Sequence, residues 1–197
     1  MPTDAKTIAD YDGNSAAFQA RTLGIDMTHL HAPFLRELPP GSHVLDLGCG
    51  VGRDARAFLA EGHTVTAVDA SSEMVRIATE VTGRPALHMR FDELPFVEEF
   101  DGVWACASLL HVPKAEMPAV LARVARSLRL GGVLQLSVKY GESEGWRDGR
   151  WFSDYTVASI HATVAAVPDL APVRYWVGQD ARRADVRWVH AVARRAP

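Results

Sequence analysis

Val44-Leu45-Asp46-Leu47-Gly48-Cys49-Gly50-Val51-Gly52-Arg53-Asp54 is the most informative segment of the chain. The apolar run Val44–Leu47 reads as a short buried strand. Three glycines then alternate into a helix start. Gly48, Gly50 and Gly52 permit a tight turn and remove the Cβ atoms that would hold a ligand away from the backbone. A glycine-rich turn from strand to helix is where open α/β sheets take ligands.

The spacing departs from the dinucleotide fingerprint G-x-G-x-x-G. Gly48 and Gly50 fit it, but the last position is Arg53, and the third glycine comes one residue early. Asp46, at the strand end, would repel a pyrophosphate. It suits a ligand with an ammonium group and no phosphate, such as S-adenosylmethionine. The segment resembles motif I (D-x-G-x-G-x-G) of the class I S-adenosylmethionine-dependent methyltransferases. The resemblance runs from about Tyr11 to the end and is strongest between Val44 and Val138.

The bulk numbers fit one domain, expected over residues 1–197. The chain is 48% hydrophobic and 23% charged, enough for an ordinary core. Its net charge of −3 argues against nucleic acid as main partner. Cys49 and Cys106 make neither a disulfide framework nor a C-x-x-C zinc pair, so no metal is expected and a cytoplasmic setting is the simplest. No run reaches a membrane span, and Met1-Pro2-Thr3-Asp4 has no signal-peptide character.

Alternating strand and helix patterns predict an α/β three-layer fold. The resemblance implies a Rossmann-like, seven-stranded, mostly parallel sheet with its last strand antiparallel. It also implies an N-terminal helical lid over residues 1–40 and a core over 41–197. Residues 1–12 read as a frayed, polar start. Helices are expected around Ala16–Leu23 and from Asp26 to Pro39. Tyr11 and Phe18 are candidates to line the site from the lid, with simple packing as the alternative.

A strand over Thr64–Val68 ends at Asp69, 21 residues after Gly48. An acid at that distance accepts the ribose hydroxyls in a βαβ nucleoside site. Its alternative role is to cap the next helix, which Ser71 or Ser72 also suits. Ala70 is small enough to leave room for adenine, and Met74 either touches the ring or is core. A third strand is expected over Ala86–Arg90. The family often carries an acid four residues before a Leu-Pro-Phe-like tail. Here Arg90 stands at that position and the acids come later, so the Phe91 backbone and the Asp92 carboxylate are the candidates for the adenine edge. Asp92 as a turn cap is the other reading.

A fourth strand, Phe100–Ala105, leads into Cys106-Ala107-Ser108-Leu109-Leu110-His111. The resemblance puts Ala105 and Cys106 beside the methionine part of the cofactor, and Leu109 and His111 toward the acceptor. His111 is the candidate catalytic base, or else a histidine that orders the loop. With the glycine loop, the cofactor set is Asp46, Gly48, Cys49, Gly50, Gly52, Arg53, Asp69, Ala70, Met74, Phe91, Asp92, Ala105 and Cys106.

A helix from Pro113 is expected to end at Gly131-Gly132, ahead of a strand over Val133–Val138. The run Arg126–Leu134 has the family's R-x-L-x-x-G-G-x-L arrangement. Residues 139–155 read as a polar loop in which Lys139, Arg147 and Arg150 interleave with Tyr140, Trp146, Trp151 and Tyr155. Cations among aromatics at a strand's carboxyl end suit a small anionic or aromatic substrate, with Lys139, Tyr140, Arg150 and Tyr155 as candidates. A solvated loop is the alternative. A helix over Val157–Val167 precedes two strands near Pro172–Gln179 and Val186–Ala193. These are joined through Asp180–Asp185 and predicted to pair as an antiparallel hairpin.

The implied activity is in-line transfer of a sulfonium methyl to a small-molecule acceptor by a monomer or homodimer. RNA or protein methylation, and a non-catalytic S-adenosylmethionine-binding module, are the alternatives. A general base is needed only where the acceptor must lose a proton.

Overall fold

The computed structural model describes residues 2–183 and 185–196. Ala184, in the predicted connection between the last two strands, lies outside them. Three helices come first: α1 (Pro2–Gly13), α2 (Ser15–Thr22) and α3 (Thr28–Leu35). Strands and helices then alternate as β1 (His43–Leu47), α4 (Arg53–Ala60), β2 (Thr64–Asp69), α5 (Ser72–Thr82), β3 (Leu87–His88) and β4 (Phe100–Cys106). Next come α6 (Met117–Ser127), β5 (Leu128–Lys139), the pair β6 (Glu144–Arg147) and β7 (Arg150–Ser153), and α7 (Val157–Ala165). The long strands β8 (Leu170–Gln179) and β9 (Arg187–Arg195) close the chain.

Seven strands form one sheet in the order β3-β2-β1-β4-β5-β9-β8. β1 to β5 pair in parallel, and β9 lies antiparallel between β5 and β8. This is the Rossmann-like methyltransferase architecture that the resemblance implies, including the antiparallel last strand.

Alternation along the strands divides the core between the two faces of the sheet. On β4, Val103 and Ala105 pack with residues of α6 and α7, whereas Trp104 packs with α3 and α4. His31, Phe34, Phe58 and Trp104 stack edge-on or tilted at 4.9–5.7 Å. α3 is thus bound to the face of the sheet and is not purely part of a lid. Gly102 makes this approach possible, since a Cβ there would lie 2.8 Å from the Phe34 ring.

The helix limits follow from their caps. Ser71 Oγ accepts the Met74 N–H at the start of α5, and Gly83 ends it with a left-handed φ of 66°. A Thr156–Ser159 capping box starts α7.

Four expectations need correction. Residues 2–13 form a helix, because α1 docks on distant segments: Thr7 Oγ1 accepts Trp151 N–H, and Asp12 Oδ1 accepts from Ser71 Oγ and Glu73 N–H. β3 is only two residues long. α6 starts at Met117 and ends at Ser127, and Gly131-Gly132 falls inside β5, where the pairing to β4 shifts register. Finally, residues 144–153 are an antiparallel hairpin with Trp146 opposite Trp151. Its turn residues Asp148 and Gly149 both have positive φ, 48° and 82°, as a two-residue hairpin turn requires.

Candidate active site

A cavity of about 550 Å³ opens at the carboxyl ends of β1, β2, β4 and β5. The strand order reverses between β1 and β4, which is where open α/β sheets bind ligands. Side chains of α1 and α2, among them Tyr11 and Phe18, line it opposite the glycine loop.

The three glycines have different jobs. Gly48, at φ 76°, carries no Cβ because one would lie 2.4 Å from Ser108 Cβ, so the β4 loop crosses directly over it. Gly50, at φ 53°, also lines the cavity, and a Cβ there would lie 3.4 Å from the Phe18 ring. Gly52 does not line the cavity. It begins α4 at φ 77°, and a Cβ there would meet Ala78 Cα at 3.0 Å, so it serves the packing of α4 on α5.

Asp69 closes this end. Its Oδ2 accepts Gly50 N–H at 2.8 Å and its Oδ1 accepts Ser71 N–H at 2.9 Å. Ser71, not Asp69, caps α5. Burial raises the Asp69 carboxyl above its ordinary range, against the pull of the Ser71 and Gly50 N–H groups. Ala70, Met74 and Phe91 line the same wall.

Asp46 sits elsewhere than the sequence suggests. It is buried, and its Oδ2 accepts Ala55 N–H at 3.1 Å, so it caps the first turn of α4 from below. It does not line the cavity. Burial and the neighbouring Asp54 charge push its carboxyl well above the usual range.

Asp54 is the buried charge that sequence reading missed. The Arg53 guanidinium donates to both of its oxygens, at 2.7 and 2.8 Å. His31 Nε2 donates to Oδ1 at 3.0 Å and Trp104 Nε1 to Oδ2 at 2.9 Å. Burial alone would raise this carboxyl, but the bonds from His31 and Arg53 hold it below the ordinary carboxylate range. Arg53 and Asp54 both line the cavity beside the glycine loop. An acid in the first turn of a helix ordinarily reads as a dipole partner, so nothing local marks this cluster.

The other end of the cavity is basic and aromatic. His111 Nδ1 lies 2.6 Å from the Trp151 carbonyl and Nε2 lies 2.9 Å from Tyr11 Oη. Arg150 donates to Tyr11 Oη at 3.3 Å. Lys139 Nζ lies 4.2 Å over the Phe152 ring, and among the described residues it has no carboxylate within ion-pair distance. Burial and the adjacent Arg147 lower the Lys139 ammonium. Arg147 forms a two-bonded pair with Asp154, at 2.7 and 2.5 Å. Phe152, Arg147, Arg183 and His190 also line this end.

Of the predicted site residues, fourteen line one cavity: Tyr11, Phe18, Gly48, Cys49, Gly50, Arg53, Asp69, Ala70, Met74, Phe91, Cys106, His111, Lys139 and Arg150. The others lie outside it. The Asp92 carboxylate takes two bonds from Arg90. Ala105 and Leu109 are core residues. Tyr140 stacks under Arg187 on the outside, and Tyr155 is buried beneath the hairpin. Burial raises the Cys106 thiol to about 12, so it acts as a neutral wall.

Fold and site together define a Rossmann-like protein of the methyltransferase type. Residues 44–132 match the family described as "Methyltransferase domain". That segment carries the domain of the class I S-adenosylmethionine-dependent methyltransferases. It is 38% identical over 120 residues to a 2-methyl-6-phytyl-1,4-hydroquinone methyltransferase of Synechocystis sp., covering 56% of this chain and 36% of that one. It is 35% identical over 111 residues to the methyltransferase GfsG of Streptomyces halstedii, covering 51% and 39%. The chain thus spans well under half the length of these curated relatives. Its fold superposes on a 1,6-didemethyltoxoflavin-N1-methyltransferase of Burkholderia thailandensis with a TM-score of 0.82 at 24% identity, covering 98% of this chain and 89% of that one. That structure holds 1,6-didemethyltoxoflavin and S-adenosylhomocysteine.

Proposed function

We propose that this chain transfers a methyl group from S-adenosylmethionine to a small, anionic, planar acceptor. One observation carries the reading: a single cavity joins a nucleoside-type end, made by the glycine loop and Asp69, to an end lined by Lys139, Arg150, Phe152 and His111.

The residues present fit the cofactor. Gly48 and Gly50 line the cavity with bare backbone, and Asp69 offers further lone pairs for ribose hydroxyls. Arg53 brings a cation to the same end. When bound, the cofactor supplies a sulfonium methyl as the electrophile. The chain then has only to align the acceptor and exclude water, work that Tyr11 and Phe18 of the covering helices are placed to do.

Relatives named for a hydroquinone and for didemethyltoxoflavin support a small-molecule acceptor. The acidic net charge also weighs against an RNA surface. Lys139, which among the described residues has no carboxylate within ion-pair distance and lies near Arg147 and Arg150, supports an acceptor that carries negative charge. Calorimetry tests the cofactor half: S-adenosylhomocysteine is expected to bind one to one, and absence of binding to folded protein contradicts it.

A further inference from the structure

We propose that Tyr11 and His111 form a proton-accepting dyad in which Tyr11 touches the acceptor and His111 stores the proton. This rests on the reading above and narrows the acceptor to an anion that also bears an ionisable O–H or N–H.

Hydrogen-bond geometry sets the direction of the relay. The Trp151 carbonyl can only accept, so His111 Nδ1 carries the hydrogen at 2.6 Å. In the neutral ring Nε2 is then an acceptor, and the group that donates to it is the Tyr11 hydroxyl at 2.9 Å. The basic nitrogen is therefore covered by Tyr11. An acceptor reaches it only through the phenol oxygen. Arg150 occupies one lone pair of that oxygen at 3.3 Å, and the second remains for an incoming X–H at the cavity wall.

The cations around the dyad give a bound anion a part in its chemistry. Burial first, and then the Arg150, Lys139 and Arg147 charges, lower His111 to about 4, against the bond to Trp151. Asp10 on α1 faces Arg150 at 3.3 Å, and Asp154 holds Arg147, while among the described residues Lys139 has no carboxylate within ion-pair distance. A bound anion on Lys139 offsets the cationic share of this shift and so raises the basicity of His111.

The step balances. As the acceptor atom bonds to the methyl carbon and the carbon–sulfur bond breaks with its electron pair going to sulfur, the X–H proton passes to Tyr11 Oη. The Tyr11 proton passes to His111 Nε2, and the imidazolium later yields it to water. The helix that covers the cavity thus supplies half of the base, which ties proton removal to a covered site.

The test uses the protein saturated with S-adenosylhomocysteine, with 4-hydroxybenzoate as probe and the His111 ring nitrogens followed by NMR. Binding of S-adenosylhomocysteine is measured first, so failure of the cofactor reading is seen separately. The dyad predicts that the bound probe shifts the His111 titration upward by at least one unit in the natural protein. In Tyr11→Phe, which keeps the ring and its edge contacts to Phe18 and His111, the Nε2 signal loses its hydrogen-bond shift and proton exchange with the probe slows at least tenfold. An Nε2 signal and an exchange rate unchanged in Tyr11→Phe overturn the relay. Failure of the probe to bind, or a His111 titration indifferent to it, overturns the anion-dependent base.

Discussion

Asp54→Ala is expected to destabilise the fold by about 3–5 kcal/mol, the usual cost of removing one partner from a buried charge cluster. The carboxylate takes four hydrogen bonds, two from Arg53 and one each from His31 and Trp104. Its loss leaves a guanidinium and an indole N–H without their acceptor, between α3, α4 and β4. It also loosens Arg53, which lines the cavity. Asp54→Asn keeps one acceptor oxygen and is expected to fall between the two. Urea unfolding at neutral pH measures the effect, and a loss under about 1 kcal/mol would contradict the cluster's role. The pH dependence has a definite sign. Asp54 is held below its unfolded value, so its stabilisation is full above the ordinary carboxylate range and declines as pH falls below it. Asp46, raised by burial and by Asp54, contributes the opposite slope, losing stability as pH rises.

Asp69→Ala is expected to weaken S-adenosylhomocysteine binding by at least about tenfold, or about 1.4 kcal/mol. Two losses combine. The ribose hydroxyls lose a carboxylate acceptor. Gly50 and Ser71 lose the side chain that ties the glycine loop to the start of α5. Asp69→Asn retains an oxygen for one of the two N–H groups and is expected to recover part of the affinity. Calorimetry on folded variants reads both. Affinity within about twofold of the natural protein would remove Asp69 from the ribose position.

The legible parts of this protein were those written in local spacing. The apolar run Val44–Leu47, the glycines that follow and the acid at residue 69 identify the parallel sheet and the nucleoside end of the cavity. They act over about twenty residues, within one βαβ unit. What escaped depends on long-range contact. The helix over residues 2–13 has little apolar periodicity and forms against Ser71 and Trp151, which lie far off in sequence. Asp46, expected at the cofactor, lies beneath α4, and Asp54, which had no expected role, lines the cavity, because which acid faces it is settled by how α4 folds back over β1. The hairpin at residues 144–153 is a different case. Asp148-Gly149 between aromatic residues is a hairpin signal in itself, and the charge of the segment masked it. That hairpin brings Arg150 and Phe152 to the basic, aromatic end of the cavity and sets the Trp151 carbonyl against His111.

Transfer of labelled methyl from S-adenosylmethionine into a cell extract, separated into small-molecule, RNA and protein fractions, tests the central claim most directly. The expected result is label among small anionic compounds, lost in the Asp69→Ala protein. Label in RNA or protein, or no label in any fraction while S-adenosylmethionine binds, would contradict it.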